Sequence, residues 1–132
     1  MAHLATLPEG SSAPAAELAE AASIPRHYVS KLMRRLVVAD LVDSRRGHGG
    51  GFTLTRAPDA VRFIEILEAV GFPGDTNSCV FGWDQCDPNQ PCPLHTSWSR
   101  LKLAFLKWAQ ETTLGEVRDN WSEILTEQMK GQ

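Results

Sequence analysis

The three cysteines of the chain are concentrated in one short stretch. Six residues separate Cys79 from Cys86, five separate Cys86 from Cys92, and two separate Cys92 from His95. The intervening residues include glycines, prolines and aspartates, which bend the backbone and disfavour regular elements. Three thiolates on such a segment can converge on one metal centre, and the imidazole of His95 is near enough in sequence to be a fourth ligand. The alternative is that His95 only begins the next helix.

The spacing of these cysteines favours an iron–sulfur cluster. Thiolates suit zinc, Cu(I) and iron–sulfur clusters, but structural zinc usually takes cysteine pairs about two to four residues apart, and this chain has none. Wide, uneven gaps fit a cluster better because it is larger than a single ion. Three aspartates and no Lys or Arg accompany the thiols in residues 72–94, which favours metal as the group that stabilises the thiolates. A zinc-stabilised or thiol-switch protein without a cluster is the alternative.

A second set of residues indicates nucleic-acid binding. The chain has a formal net charge of −3, yet residues 24–56 contain seven Lys/Arg and two Asp, so positive charge is concentrated where it can attract phosphate. A helix predicted over residues 24–39 has an apolar stripe that includes Tyr28, Val29, Leu32, Met33 and Leu36. Its other face carries Arg26, His27, Ser30, Lys31 and Arg34, and a solvated basic face with no ligand is the alternative interpretation.

The elements around this helix predict a winged helix-turn-helix. A short helix over 15–22, with Leu18 and Ala22 buried, precedes it, and Ser23 is predicted as its N-cap. Strands over 41–46 and 52–56 flank a glycine-rich turn. In this motif the second helix enters the major groove, and the hairpin tip reaches the backbone or the minor groove. The expected contacts from the hairpin are Arg45, Arg46, His48 and Gly49.

The C-terminal half is predicted to carry the cysteines and a dimer interface. Asp59 is expected to cap a helix over 60–70 that ends at Gly71. A long helix over 96–111 has two apolar faces, one with Trp98, Leu101, Phe105 and Trp108, which suggests that a second chain covers one of them. A capping box from Thr113 to Glu116 opens a last helix through Trp121, Leu125 and Met129. The predicted fold class is mainly α with a small β-hairpin, in one compact domain. Residues 1–58 form its DNA-binding region, and residues 59–132 form its cluster-binding loop and dimerisation helices.

Composition excludes several other classes of protein. The chain has 132 residues, of which 42% are hydrophobic and 22% charged, as expected for a soluble globular protein. No stretch approaches a membrane span or a signal peptide, so we expect a cytoplasmic protein with no membrane partner. The triple glycine Gly49–Gly51 lacks the Lys-Ser/Thr of a phosphate loop. No arrangement of nucleophile and base or of paired carboxylates is visible, so we expect no enzymatic activity.

The order and spacing of these motifs resemble a family of winged-helix regulators that includes the iron–sulfur cluster assembly regulator IscR and the nitric-oxide-sensing repressor NsrR. The resemblance covers nearly the whole chain. It is carried by Glu17-Leu18-Ala19, Tyr28-Val29 with Leu32 and Leu36, Leu41-Val42, Ser44-Arg45-Arg46-Gly47, Gly49-Gly50-Gly51-Phe52-Thr53-Leu54, Cys79, Cys86, Pro91-Cys92-Pro93-Leu94-His95, Trp98 and Thr113-Leu114. The first cysteine gap is one residue longer than in the assembly regulator. The family's first helix is usually longer, so the resemblance implies a chain that is short at its N-terminus.

The resemblance implies a homodimeric transcription regulator, acting as a repressor, that binds palindromic double-stranded DNA and senses redox state or nitric oxide. By position, Pro25, His27 and Ser30 fall on the family's base-reading face, and Arg46 falls on its wing arginine. Cys79, Cys86, Cys92 and His95 fall on ligands of a 2Fe–2S or 4Fe–4S cluster, of which we favour 2Fe–2S. We further expect Lys31, Arg34 and Arg35 to contact phosphates.

Overall fold

The computed structural model describes residues 1–71, 89 and 92–120. The elements follow the order α1 (Ala2–Thr6), α2 (Ala15–Ala22), α3 (Arg26–Val38), β1 (Val42–Arg45), β2 (Gly51–Leu54), α4 (Phe63–Ala69) and α5 (His95–Glu111). Residues 114–120 are also helical and are called α6 here. The predicted fold class, mainly helical with a small hairpin, is confirmed. Within the described ranges no helix is long and apolar enough to cross a membrane.

The helix-turn-helix is formed by α2 and α3, but its turn differs from the prediction. Ser23 is not the N-cap of α3, and it ends α2 instead, in the left-handed conformation with φ 56°. The N–H of Ile24 then reaches back to the carbonyl of Ala19 at 3.1 Å, a common way to end a helix. Pro25 is the N-cap of α3, and the proline ring fixes a backbone conformation that suits a helix start.

The buried side of α3 is narrower than its apolar pattern suggests. Val29, Met33 and Leu36 are buried, and they share one face at helical spacing. Tyr28 is 54% exposed, so its predicted place in the buried stripe is wrong. Successive helical residues lie about 100° apart, which puts Tyr28 on the flank beside Val29. Ala22, at the end of α2, was also expected in the core and is exposed.

The hairpin that follows α3 is a two-stranded antiparallel sheet. Its register pairs Val42 with Leu54 and Arg45 with Gly51. Val42 is fully buried while the rest of β1 is exposed, so the base of the hairpin is held in the core and its tip projects into solvent. This arrangement is the wing that the glycine-rich turn predicted.

Glu65 organises the start of α4 in place of Asp59. The prediction that Asp59 caps a helix over 60–70 is wrong, because a 3-10 turn precedes α4. The carboxylate of Glu65 accepts the backbone N–H of Arg62 and the guanidinium of Arg56, each at 2.9 Å. These bonds, the one from Arg62 above all, hold the pKa of Glu65 below its ordinary value.

Helix α5 packs against α4, and α6 contributes to the core of the winged helix. The rings of Phe63 and Trp108 lie 5.2 Å apart between centroids, and the N–H of Phe63 donates to Thr112 at 3.0 Å. Leu114, at the start of α6, is buried with Val61 in the cluster that also contains the buried face of α3. One of the two hydrogen bonds of the predicted capping box is formed: the N–H of Thr113 donates to the carboxylate of Glu116 at 3.1 Å. The last part of the predicted C-terminal helix, with Trp121, Leu125 and Met129, lies outside the described residues.

Candidate nucleic-acid interface and metal centre

The exposed face of α3 presents the residues predicted to meet DNA. His27, Lys31 and Arg34 are exposed and recur at intervals of four and three residues, so they lie in one row along the helix. Arg26 is exposed and Ser30 is partly buried beside this row. Pro25 is exposed at the N-terminal end, the end that meets base edges in helix-turn-helix proteins.

Two large apolar side chains are exposed on α3 next to this basic row. Val38 is 83% exposed at the C-terminal end of α3, and Tyr28 is 54% exposed near its N-terminal end. Tyr28 was expected in the apolar stripe, whereas Val38 lies four residues after Arg34 and so has the helical spacing of the basic row.

The seven cations of residues 24–56 divide into two groups in the structure. Arg56 is held by Glu65 and by the carbonyl of Ala60, and Arg35 donates to the carbonyl of Val70. The other five are exposed and make no hydrogen bond or ion pair to any described residue: Arg26, Lys31, Arg34, Arg45 and Arg46. Unpaired cations on one surface are what phosphate recognition requires, because each can neutralise a phosphate and release its counterion.

The wing places its predicted contacts on a tight glycine turn. The N–H of Gly50 donates to the carbonyl of Gly47 at 2.9 Å, which closes the turn. Arg45, Arg46, His48 and Gly49 are all exposed around it. A guanidinium on such a tip can enter a narrow minor groove, whose negative potential attracts it.

A segment before α2 supports the wing, which sequence patterns did not reveal. Ala13 forms an antiparallel bridge with Phe52, with N–H···O distances of 2.9 and 2.8 Å in the two directions. The hydroxyl of Ser12 donates to the carbonyl of Gly49 at 2.8 Å. Gly51 lets the two backbones approach, because a Cβ there would lie 2.5 Å from the carbonyl carbon and oxygen of Ala13. The wing is therefore stabilised by contacts with this segment as well as by the hydrogen bonds of its own hairpin.

Two of the four candidate metal ligands lie at the start of α5: His95 is its first residue, and Cys92 comes three residues before it. Cys92 is partly buried and is not in a disulfide. The N–H of His95 donates to the carbonyl of Cys92 at 3.0 Å, which places the two residues within one helical turn. Cys79 and Cys86 lie outside the described residues. Among the residues that are described, no group of three His, Cys, Asp or Glu side chains is placed to hold a metal ion.

The donor set of the chain suits an iron–sulfur cluster. Thiolates are the ligands that such clusters take, and an imidazole can replace a thiolate on one iron. Cys92, just before α5, would supply a thiolate, and His95, the first residue of α5, would supply the imidazole, so a cluster bound here would contact the start of that helix directly.

One face of α5 remains apolar and exposed in the single chain. Leu101, Phe105 and Trp108 are 60%, 37% and 47% exposed, and Leu103 on another side of the helix is 61% exposed. The rings of Phe105 and Trp108 lie 5.7 Å apart, so they form a continuous surface. Contiguous apolar patches of this kind usually mark interaction sites.

Comparison with known sequences finds a profile that matches almost the whole chain. The profile of the Rrf2 family, described as iron-dependent transcriptional regulator, matches residues 1–120. The HTH-type transcriptional regulator IscR of Erwinia tasmaniensis is 33% identical over 112 residues, which cover 85% of this chain and 67% of the relative. Such relatives are named as transcriptional regulators and not as enzymes, in agreement with the expectation from the sequence.

Comparison with solved structures finds the same fold. The CymR structure of B. subtilis, titled the global cysteine regulator, has a TM-score of 0.69 at 25% identity and covers 89% of this chain and 86% of its own. The T. potens IscR structure has a TM-score of 0.65 at 20% identity, covering 89% and 77% respectively. At that identity the second likeness concerns the fold alone.

Replacing Gly51 by Ala should destabilise the protein and weaken its binding to DNA. The backbone there has φ +145° and the new methyl group would overlap the carbonyl of Ala13, so the wing must separate from its support. Gly10→Ala is the matched control, because Gly10 also has a positive φ, +80°, but a Cβ there meets nothing within 4 Å. The control should cost about 1–2 kcal/mol of unfolding free energy, and Gly51→Ala should cost more. Equal losses in urea unfolding would mean that the segment with Ala13 does not support the wing.

Proposed function

The chain belongs to the Rrf2 family of transcriptional regulators, and from this premise we propose that it is a cytoplasmic repressor whose binding to DNA is controlled by an iron–sulfur cluster. The ligands would be Cys79, Cys86, Cys92 and His95. The observation that carries the DNA-binding part is the set of exposed cations on α3 and the wing whose side chains make no hydrogen bond or ion pair with described residues. The resemblance of the cysteine pattern carries the regulatory part.

Binding to DNA would use α3 and the wing for different tasks. His27 and Ser30, near the N-terminal end of α3, are in the region that reads base edges in the major groove. Lys31 and Arg34 would contact phosphates, which position a protein without reading sequence. Arg46 at the wing would enter the minor groove.

The cysteines and His95 would bind the cluster at the junction between α4 and α5. When bound, an iron–sulfur cluster supplies a centre that is sensitive to redox state, to nitric oxide and to iron supply. Cys92, just before α5, and His95, its first residue, would hold that centre at the start of the helix. A 2Fe–2S cluster is favoured over 4Fe–4S.

The apolar face of α5 supports a homodimer. An exposed stripe containing Leu101, Phe105 and Trp108 is costly in water and would be buried against the same stripe of a second copy. A two-fold dimer presents two copies of α3, and such regulators bind palindromic sites whose symmetry matches their own. We therefore propose a palindromic operator of double-stranded DNA.

A thiol switch without a cluster is the second candidate function. It is favoured by the likeness to CymR, which is titled a cysteine regulator, and by Cys92, a partly buried cysteine outside any disulfide. Zinc bound by the same thiolates is a related possibility. The thiol switch and the zinc protein both bind DNA through the same surface. The metal content of the purified protein distinguishes them from a cluster protein.

Protein purified without oxygen should be coloured and contain iron and sulfide. Cys79→Ala, Cys86→Ala and Cys92→Ala should each abolish both, because each removes a thiolate ligand. His95→Ala should shift the visible spectrum while keeping the cluster, since three thiolates remain. His3→Ala, on α1, is the control and should leave the spectrum unchanged. A cysteine variant that retains full iron and sulfide is not a ligand variant, and a colourless wild type with bound zinc, or with no metal, supports the second candidate.

Substitutions on α3 should separate base contacts from phosphate contacts. Arg34→Ala should weaken binding to operator and scrambled DNA alike and reduce the salt slope by about one phosphate contact. His27→Ala should instead cost about 1–3 kcal/mol on the operator alone if its base contact is well formed. Lys107→Ala, an exposed cation on α5, is the control and should leave the salt slope unchanged. Binding measured over a salt series tests this, and equal losses on both DNAs for His27→Ala would place that side chain on the backbone.

The wild type should sediment as a dimer at micromolar concentration. Leu101→Asp and Phe105→Asp should each give monomers, because a carboxylate cannot be buried unpaired at the seam. Gln110→Asp adds the same charge at an exposed position of α5 and should leave the dimer intact. A monomeric wild type would contradict the proposed seam.

A further inference from the structure

Arg35 links the helix predicted to read DNA to the end of the helix that leads into the cysteines. It lies in the last turn of α3, and its Nη1 donates to the carbonyl of Val70 at 2.8 Å. Val70 is the C-cap of α4. The last carbonyls of a helix lack partners within it and carry partial negative charge, so a guanidinium there is stabilised both by the hydrogen bond and by the helix dipole.

The residue after Val70 is shaped for this contact. Gly71 has φ +82°, and a Cβ placed there would lie 3.3 Å from Nη1 of Arg35, closer than such atoms usually come. A glycine therefore gives the chain its left-handed turn at the end of α4 and also leaves room for the guanidinium. Two independent features of the α4 terminus thus accommodate one side chain from α3.

The two ends of α4 contact different helices. At its N-terminal end α4 is fixed to α5 by the ring contact of Phe63 with Trp108 and by the bond from Phe63 to Thr112. At its C-terminal end it is connected to α3 through Arg35. In the sequence, the cysteine segment (residues 72–94) follows Gly71 and precedes His95, the first residue of α5.

We propose that Arg35 is the positioning residue through which the state of the cysteine segment alters the placement of α3. The inference rests on the proposed function, in which that state changes operator binding. A rearrangement at the cysteines acts first on the residues covalently joined to them. Val70 lies two residues before the cysteine segment in the sequence, and its carbonyl contacts α3 through Arg35. The contact is on the surface, so it can break and reform without opening the core.

Arg34 provides the matched comparison for this role. It is the neighbouring residue of the same helix, has the same charge and is exposed, yet its side chain makes no hydrogen bond or ion pair with a described residue. Loss of Arg34 should remove a phosphate contact in every state of the protein. Loss of Arg35 should remove the connection between the cysteine segment and α3, and therefore the difference between states.

The test measures the affinity of the full chain for a duplex that the wild type selects from a randomised pool. Each variant is measured anaerobically, reconstituted with iron and sulfide and, separately, metal-free and reduced. If the wild type follows other allosteric proteins, its two affinities differ by about 5- to 150-fold. Arg34→Met should lower both affinities by one factor and keep their ratio. Arg35→Met should bring the ratio towards one.

A reciprocal measurement supports the assignment independently of the affinity of either state. If Arg35 connects α3 to the cysteine segment, addition of the duplex should also change the rate at which a chromogenic disulfide reagent modifies the thiols of the metal-free wild type. Arg35→Met should lose that change and Arg34→Met should keep it. Gly71→Ala, which crowds the guanidinium from the other side, should reduce the ratio in the same way and serves if Arg35→Met does not fold.

The outcomes distinguish this inference from the function on which it rests. A wild type with equal affinity in both states overturns the proposed regulation and the role of Arg35 with it. A wild type with a clear difference that Arg35→Met and Gly71→Ala both retain overturns the role of Arg35 alone. Loss of the difference in Arg34→Met as well would show that the effect is not specific to Arg35, and would also overturn the proposal.

Discussion

Backbone pairing between residues 61–63 and 112–114 closes the C-terminal half of the chain into a loop. The N–H of Phe63 donates to Thr112 and the N–H of Leu114 donates to Val61, at 3.0 and 2.9 Å. Closing a long loop costs chain entropy, and burial of Val61 and Leu114, which are 0% and 1% exposed, offsets it. The buried face of α3 belongs to the same core, so the half of the chain that carries the cysteines and the half that carries the basic surface cannot pack independently.

The same packing decides which cations remain available for DNA. Arg35 and Arg56 are both in the basic stretch, but each is used to hold α4, one at its end and the other at its start. The other five cations of that stretch lie on α3 and on the wing, where they are exposed and their side chains make no hydrogen bond or ion pair with described residues. A protein with net negative charge can thus present a basic surface, because the helix end and the acidic side chain hold Arg35 and Arg56 and leave the other cations of the stretch unpaired among the residues that the structure describes.

Local patterns predicted the elements of this fold well and their ends poorly. The apolar spacing of α3, the alternation of the hairpin and the glycine turn are properties of contiguous residues, so they are visible in the sequence. Ser23 and Asp59 are both good capping residues by type. In the structure, however, Ser23 ends α2 and Asp59 lies in the 3-10 turn, and the N-caps are Pro25 for α3 and Arg62 for α4. For the candidate site, the sequence predicted the basic surface and the wing, whose residues are consecutive.

The supporting contacts of that site could not be predicted because their partners are distant in sequence. Ser12 contacts Gly49 and Arg35 contacts Val70, and in each case the acceptor is a backbone carbonyl, which is present at every residue and so leaves no pattern. Tyr28 likewise has the spacing of a core residue, and only the direction from which α2 and the hairpin cover α3 leaves it exposed.

The connection of α4 at both ends has a consequence for a symmetric regulator. If the apolar face of α5 pairs with a second copy, the distance between the two α3 helices depends on how firmly each α3 is held to its own α5. That connection passes through the core and through α4, which meets α5 at Phe63 and α3 at Val70. Half-sites of a palindrome lie about one helical turn of DNA apart, so a small displacement at the end of α4 would move both α3 helices away from that spacing in opposite directions. In such a dimer the two-fold axis would double the effect of a change that is small within each subunit, so the surface hydrogen bond of Arg35 would alter operator binding without a rearrangement of the core.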